Sequence, residues 1–302
     1  MTDTVNGAIP FEPVIEGEGY RSASPIPSEE ELAAFYAKVY FQAVPTSTFS
    51  HSYEKDELAN KRERAALVAY VAAQKLGGAS GRSLLDVGFG EGFELAAARA
   101  AGFDVHGVDF GLHGLRSFNP ELEDRVEAQD PLSALGRYAA ESRRFDVCLL
   151  KNVLEHVRDP VATLAAVRQV LTPDGVALVT LPNDYSEIQL ELRQRGDVDS
   201  DYWFAPPQHL HYFTVDGFAR FATENGFKIV DLLGDFPIEL FLFHPASNYS
   251  RHPEAGKDAH RARVAVDLLL ARRGLASFAD ASRALAQLGL SRTFTACCSV
   301  AR

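Results

Sequence analysis

The stretch that most restricts the fold is residues 83–111, SLLDVGFGEGFELAAARAAGFDVHGVDFG. Residues 83–87 are a short apolar run of the kind found in buried parallel strands. A glycine turn follows, Gly88-Phe89-Gly90-Glu91-Gly92, and residues 93–101 are alanine-rich and helix-forming. Residues 105–108 read as a second strand, closed by Asp109. Glycines let the backbone turn and approach a ligand without a Cβ clash. Strand, glycine turn, helix, strand and acid predict a nucleotide-type site at the carboxyl edge of a parallel sheet. Asp109 stands where a carboxylate can accept hydrogen bonds from both hydroxyls of a ribose.

The spacing narrows the ligand. The glycines fall as G-x-G-x-G rather than G-x-G-x-x-G, and an acid, Asp86, stands two residues before the first. This form resembles motif I of the class I S-adenosylmethionine-dependent methyltransferases. A dinucleotide enzyme must seat a pyrophosphate on the helix N-terminus. Adenosylmethionine has no phosphate and carries a cationic sulfonium and ammonium. Asp86, Glu91 and Asp109 give the turn a negative field, which suits a cation better than a diphosphate. The resemblance implies S-adenosyl-L-methionine as cofactor, held by Asp86, Gly88, Phe89, Gly90, Gly92, Asp109 and Phe110. A dinucleotide site and a degenerate, non-catalytic copy stay open as other readings.

The net charge of −11 over 302 residues argues against a nucleic-acid partner, which would need a basic face. No run of 18 or more apolar residues exists, and the N-terminus lacks the basic and apolar regions of a signal peptide. The three cysteines, Cys148, Cys297 and Cys298, sit in apolar strand-like runs without metal spacing, so they are expected as reduced core thiols. The expectation is a soluble cytoplasmic protein with no membrane partner.

Along the chain, residues 1–27 are proline-containing and aperiodic, and are expected as an extended or loose arm. Ser28 with Glu31 forms a capping-box signature for a helix over 29–41, carrying Phe35, Tyr36 and Tyr40. These aromatics pack on the main domain or lid the site. Residues 54–76 form a second helix. After Asp109, strands are expected over 124–128, 145–150 and 175–181, with helices over 131–142 and 161–171. This alternation predicts an α/β fold with a doubly wound parallel sheet. A helix over 218–225, a strand over 227–233 and a final β-rich run over 291–301 complete the chain. The ending is similar to a class I methyltransferase sheet, which implies seven strands in a Rossmann-like arrangement, the last inserted antiparallel. The expected organisation is a lid or cap over 1–76, a donor-binding core over 77–236, a helical insertion over 237–289 and the last core strand over 290–302.

Residues 145–160, FDVCLLKNVLEHVRDP, followed by L-T-P-D-G and L-P-N, resemble the ubiquinone-biosynthesis-type and related small-molecule methyltransferases. The likeness covers residues 83–183 and continues more weakly to 227. It implies that Lys151 and Asn152 line the donor site, that Glu155 and His156 face the acceptor, and that Asp130 meets the adenine amino group. Methyl transfer is an in-line displacement, so the protein mainly aligns nucleophile, methyl and sulfur. An alcohol acceptor needs a base near its hydroxyl, and His156 is the candidate. The alternative is a histidine that fixes the loop through backbone hydrogen bonds.

A second polar cluster, residues 205–214, APPQHLHYFT, places His209 and His211 on one side if it is extended. The resemblance implies that this H-x-H-x-F-T segment closes over the acceptor, with one histidine in acid/base or orienting work. A structural role, with Thr214 capping the next helix, stays open. Glu155, His156, His209 and His211 also suggest a metal. Some ubiquinone-type relatives bind a divalent ion through acids upstream of the E-H pair, where this chain has Lys151 and Asn152, so no metal site is expected.

Tyr185, Tyr202, Trp203 and Phe204 suit a flat or sugar-like acceptor or the packing of a lid. Asn248, Tyr249, Arg251, Arg261 and Arg263 form either a solvated basic face or an anchor for an anionic tail. The apolar residues 236–243 offer a homodimer interface. The function expected is methyl transfer to a small molecule, at a hydroxyl of a sugar or secondary metabolite, with N-methylation of an amine or a non-catalytic regulator as alternatives.

Overall fold

The computed structural model describes residues 11–16, 19–39 and 52–301. Its first strands, β1 (Glu12–Glu16) and β2 (Tyr20–Ser24), are followed by α1 (Glu29–Val39) and α2 (Lys55–Leu76). The core then runs β3 (Ser83–Val87), α3 (Phe93–Ala101), β4 (Asp104–Asp109), α4 (His113–Phe118), β5 (Val126–Ala128), α5 (Pro131–Ala140), β6 (Phe145–Lys151), α6 (Pro160–Val170) and β7 (Leu171–Pro182). After α7 (Glu187–Arg195) come β8 (His211–Phe213), α8 (Val215–Glu224), β9 (Phe227–Gly234), α9 (Ala255–Ala271), α10 (Leu275–Gln287) and β10 (Thr293–Val300).

Seven strands form one sheet in the order β5-β4-β3-β6-β7-β10-β9. The first five are parallel, while β10 lies antiparallel between β7 and β9. This is the doubly wound sheet expected from the sequence. The strand order reverses beside β3, and that switch point opens a crevice at the carboxyl edge.

Because side chains alternate across a strand, the apolar runs bury both faces. Leu84, Val147 and Leu149 join Ala69, Ala72, Leu95 and Ala98 of α2 and α3 on one face. Leu85, Cys148 and Leu150 join Leu135, Leu164, Val167 and Phe218 of α5, α6 and α8 on the other. Gly107 is required by this packing, since a Cβ there would lie 2.8 Å from the Phe89 ring and 2.9 Å from both Leu95 and Val126. The insertion uses α9 against α2, and α10 against β9 and α2.

The N-terminal expectation needs correction. Strands β1 and β2 pair antiparallel, and β2 pairs with β8 through Tyr20↔Phe213 and Ser22↔His211 to make a second, three-stranded sheet. Sequence pattern misses it because its partner lies almost two hundred residues away. Residues 1–10, Tyr40 and the side chain of Tyr36 lie outside the described residues. Of the apolar residues 236–243, Leu242 is fully buried with Ile188, Leu192 and Val198 and Phe243 packs beside them, while Leu240 stays 46% exposed. The arginine cluster is likewise committed. Arg251 donates to the Gly196 carbonyl, Arg261 to Glu54 at 2.9 Å, and Arg263 lies 3.7 Å from Asp235. Asn248 is buried and bonds the carbonyls of Asp197 and Leu242. The three cysteines are free and buried.

Candidate functional site

The glycine turn lies between β3 and α3. Gly88, Gly90 and Gly92 have φ of 78°, 54° and 76°, in the left-handed region that glycine adopts without strain. At the tip of β4 the Asp109 carboxylate accepts from the Gly90 amide at 2.8 Å, so the acid and the turn fix one another. Burial raises its pKa, and the amides of Gly90 and Gly111 oppose the rise. The next residue, Phe110, is 60% exposed, an unpaired aromatic ring beside the acid. Asp86 is fully enclosed and its Oδ1 has no partner. Burial and the neighbouring Glu94 push its pKa well up, while Lys151 pulls it down.

Lys151, at the end of β6, pairs with Glu94 of α3, and a small cavity lined by Arg64, Glu94, Lys151, Thr180 and Thr295 opens beside the pair. Asn152 follows with φ of 53° and donates its backbone amide to the Thr180 carbonyl at 3.0 Å. Asp130 caps α5 through its Oδ2, which accepts from the Ser133 amide at 2.8 Å. Phe89 packs inward, 3% exposed, and shapes the turn from beneath.

Two residues near the turn were not singled out from sequence. Tyr53 donates to Glu91 Oε1, and Lys61 of α2 to Glu91 Oε2 at 3.1 Å. Lys61 also lies 4.3 Å from the Tyr53 ring centre. The pair ties the start of α2 to the glycine turn. No linear pattern announces it, because a Lys in a charged helix reads as solvated.

The second part of the site lies in the loop after β6. The Glu155 backbone carbonyl accepts from the amides of Leu210 at 2.7 Å and His211 at 3.2 Å, which joins this loop to the segment before β8. His156 Nδ1 lies 2.5 Å from the Gln208 carbonyl, so Nδ1 carries the proton and Nε2 keeps its lone pair. Nε2 is 3.8 Å from Glu155 Oε1. His209 packs edge-on against His156. Burial lowers His156 to about 4, helped by His209, and lowers His209 to about 4, helped by Arg292. Glu155 is 1% exposed with neither carboxylate oxygen bonded, and burial, with Asp184 nearby, raises it to about 8.

Among the described residues, Glu155, His156 and His209 each offer one ligand-capable atom within 4.8 Å of the others, a spacing a metal ion could span. His211 does not share their direction. Its Nδ1 bonds the Ser22 hydroxyl at 2.9 Å and its ring meets Tyr20, so it fastens the small sheet. The strand alternation that puts residues 209 and 211 on one side starts only at His211, where β8 begins. Thr214 caps α8, accepting from the Gly217 amide at 2.9 Å. A buried ion-pair hub completes the floor: Arg292 donates to Asp184 at 2.6 Å and lies 3.5 Å from Glu239. Its signal in the sequence is a lone arginine opening the apolar run of the last strand.

A seven-stranded sheet with its last strand inserted antiparallel, a G-x-G-x-G turn and an acid-tipped second strand define a class I S-adenosylmethionine-dependent methyltransferase fold. Comparison with known proteins agrees. The model of the methyltransferase domain family matches residues 52–232, more than half of the chain, and the protein belongs to that family. S-adenosylmethionine is the cofactor of this class.

The chain is 33% identical over 160 residues to a ubiquinone biosynthesis O-methyltransferase of Psychrobacter arcticus, covering 47% of this chain and 61% of the relative. It is 29% identical over 170 residues to the protein of that name from Pasteurella multocida, covering 48% and 68%. The chain thus spans about three fifths of the length of the Psychrobacter relative. Among solved structures, it is similar to the 1,6-didemethyltoxoflavin-N1-methyltransferase of Burkholderia thailandensis, with a TM-score of 0.47 and 19% identity over 74% of this chain and 91% of that one. No helix among the described residues is long and apolar enough to cross a membrane.

Proposed function

We propose that this protein methylates a hydroxyl group of a small sugar-like or secondary-metabolite acceptor. The observation that carries the reading is the His156–His209 pair set against the buried Glu155, in the loop that leaves the carboxyl end of β6. The naming of the curated relatives as O-methyltransferases supports oxygen as the nucleophile.

When bound, S-adenosylmethionine supplies a methyl group on a positively charged sulfur. The residues suit such a cation. Asp109 would hold the ribose hydroxyls and the exposed Phe110 ring would cover the adenine, with Asp130 near its amino group. The unpartnered Asp86 oxygen and the Glu94–Lys151 pair would receive the charged methionine end. Asn152 would line the donor beside Lys151. His156, with its proton fixed on Nδ1 by the Gln208 carbonyl, offers the Nε2 lone pair to the acceptor. His156 Nε2 would take the hydroxyl proton as the acceptor oxygen receives the methyl group, the thioether being the leaving group. Glu155 Oε1, 3.8 Å away, would stabilise the resulting imidazolium where the carboxyl is ionised, above about pH 8.

A second reading is N-methylation, favoured by the low basicity of the histidines. Imidazoles held at about 4 are weak bases, and a neutral amine needs none. Methyl-labelled donor offered to a panel of hydroxysugars, aminosugars, phenols and amines separates the two. Label on a hydroxyl supports the first reading, and label on an amine alone overturns it.

A further inference from the structure

Five polar atoms around the loops over β6 and β7 are buried without a hydrogen-bond partner: both oxygens of Glu155, the Tyr185 hydroxyl, Trp203 Nε1 and His209 Nδ1. Glu155, Tyr185 and Trp203 are 1%, 6% and 2% exposed. A buried polar group without a partner costs about 1–3 kcal/mol, so five of them on four neighbouring side chains call for a ligand that supplies the partners.

The rings connect these side chains into one buried cluster. His156 and His209 are 4.9 Å apart, His209 and Tyr212 6.3 Å, Tyr212 and Tyr185 6.1 Å, and Tyr185 and Trp203 5.5 Å. Trp203 Nε1 faces the Tyr185 hydroxyl without completing a hydrogen bond to it. Tyr212 is fixed in the middle, its hydroxyl donating to the His209 carbonyl at 2.7 Å. Tyr185 itself has φ of 58°, a left-handed conformation that a tyrosine rarely takes. Such strain collects at ligand sites.

The chemistry of the atoms describes the ligand. Trp203 can only donate, while Glu155, protonated below about pH 8, Tyr185 and His209 can each do either. The charge at the hub is already balanced or acidic, since the Arg292 guanidinium is committed to Asp184 and Glu239. The Arg21 guanidinium lies flat over the Tyr185 ring, 3.9 Å from its centre. A phosphate or carboxylate buried beside Glu155 would meet the Asp184 charge, while the Arg21 cation is engaged with the face of the Tyr185 ring. Planar phenols present their polar groups in one plane. A saturated ring presents hydroxyls in several directions, with C–H faces for the tyrosine and tryptophan rings.

We propose that Glu155, Tyr185, Trp203 and His209 form the acceptor subsite, and that it takes an uncharged saturated ring carrying several hydroxyl groups. This rests on the methyltransferase reading, from which it is tested separately. The first measurement is saturation-transfer NMR on the full chain loaded with S-adenosylhomocysteine, using methyl glucoside, its 6-phosphate, glucosamine and catechol as probes. Methyl glucoside is expected to show contact, and its 6-phosphate at least 5-fold less. Preference for the phosphate, the amine or catechol overturns the assignment, as does no signal from methyl glucoside.

The second measurement compares Tyr185→Phe and Trp203→Phe, both conservative in shape. A site built to bond hydroxyls loses strongly when a partner is removed. Each variant is expected to weaken methyl glucoside binding about 5-fold or more, with adenosylhomocysteine affinity unchanged within about 2-fold. Unchanged glucoside binding in both folded variants overturns the subsite. Loss of adenosylhomocysteine binding by the unaltered protein would instead defeat the methyltransferase reading.

Discussion

The imidazoles of His156 and His209 meet edge to face, with ring centres 4.9 Å apart and planes at 80°. The contact joins the loop after β6 to the segment before β8, and burial holds both rings neutral at pH 7. If His156 is the base, His156→Ala lowers kcat for a hydroxyl acceptor by about 10²-fold or more. The same change costs a neutral amine acceptor less than about 10-fold. The acid limb of the wild-type rate profile then falls near pH 4, below the usual histidine range. Steady-state kinetics with both acceptor types measures this, and equally small losses for His156→Ala and His209→Ala would sink the base assignment.

The same cluster makes stability depend on pH in two opposite senses. Glu155 is raised from 4.5 to about 8, so its contribution is fully present below pH 4.5 and is lost as pH rises through 8. His156 and His209 are lowered from 6.5 to about 4, so theirs is lost as pH falls through that range. Glu155→Gln should therefore remove a loss of about 4 kcal/mol between pH 5 and pH 9. Urea unfolding at the two pH values is the check; an unchanged pH slope in the variant contradicts the raised carboxyl.

Asp109→Ala removes the acceptor of the Gly90 amide bond at 2.8 Å as well as the proposed ribose contact. Adenosylhomocysteine affinity is expected to fall by about 10-fold or more, as the loss of charged hydrogen bonds implies. Calorimetry reads this directly. Unchanged affinity would place the ribose elsewhere.

Arg292→Met leaves Asp184 and Glu239 buried at 1% exposure each without their cation. Breaking one side of a buried ion pair costs about 3–5 kcal/mol. Thermal or urea unfolding should show a loss of that size, and a variant as stable as the parent would mean that the hub is solvated.

Gly217 opens α8 against the β1–β2 pair. A Cβ there would stand 1.7 Å from the Gly19 carbonyl oxygen, which is backbone and cannot swing aside. Gly217→Ala should push the β1–β2 pair off β8 while the seven-stranded sheet stays folded. Hydrogen exchange should speed up at Tyr20–Ser24 and stay slow at Ser83–Val87. Equal protection in both would show that the pair adapts.

The proposed donor half of this protein is legible in the chain because its residues are local. Asp86, the three glycines and Asp109 fall within one strand–turn–helix–strand unit, and steric rules alone give that unit its hand and its ligand edge. The sheet order follows from the same alternation of apolar runs and helices. The proposed acceptor half is assembled from segments far apart in sequence: Glu155 and His156 after β6, Tyr185 after β7, His209 before β8 and Arg292 at β10. Sequence named the histidines but not their partners. It put His209 and His211 together, whereas the start of β8 at His211 turns that ring to Ser22 and leaves His209 to His156. The β1–β2 pair was unreadable for the same reason, since its strands carry no apolar alternation of their own and are ordered by β8. Local sterics and apolar period determined the fold and the glycine turn, while long-range pairing and burial, which set the partners and the proton affinities, were decided only in the tertiary structure.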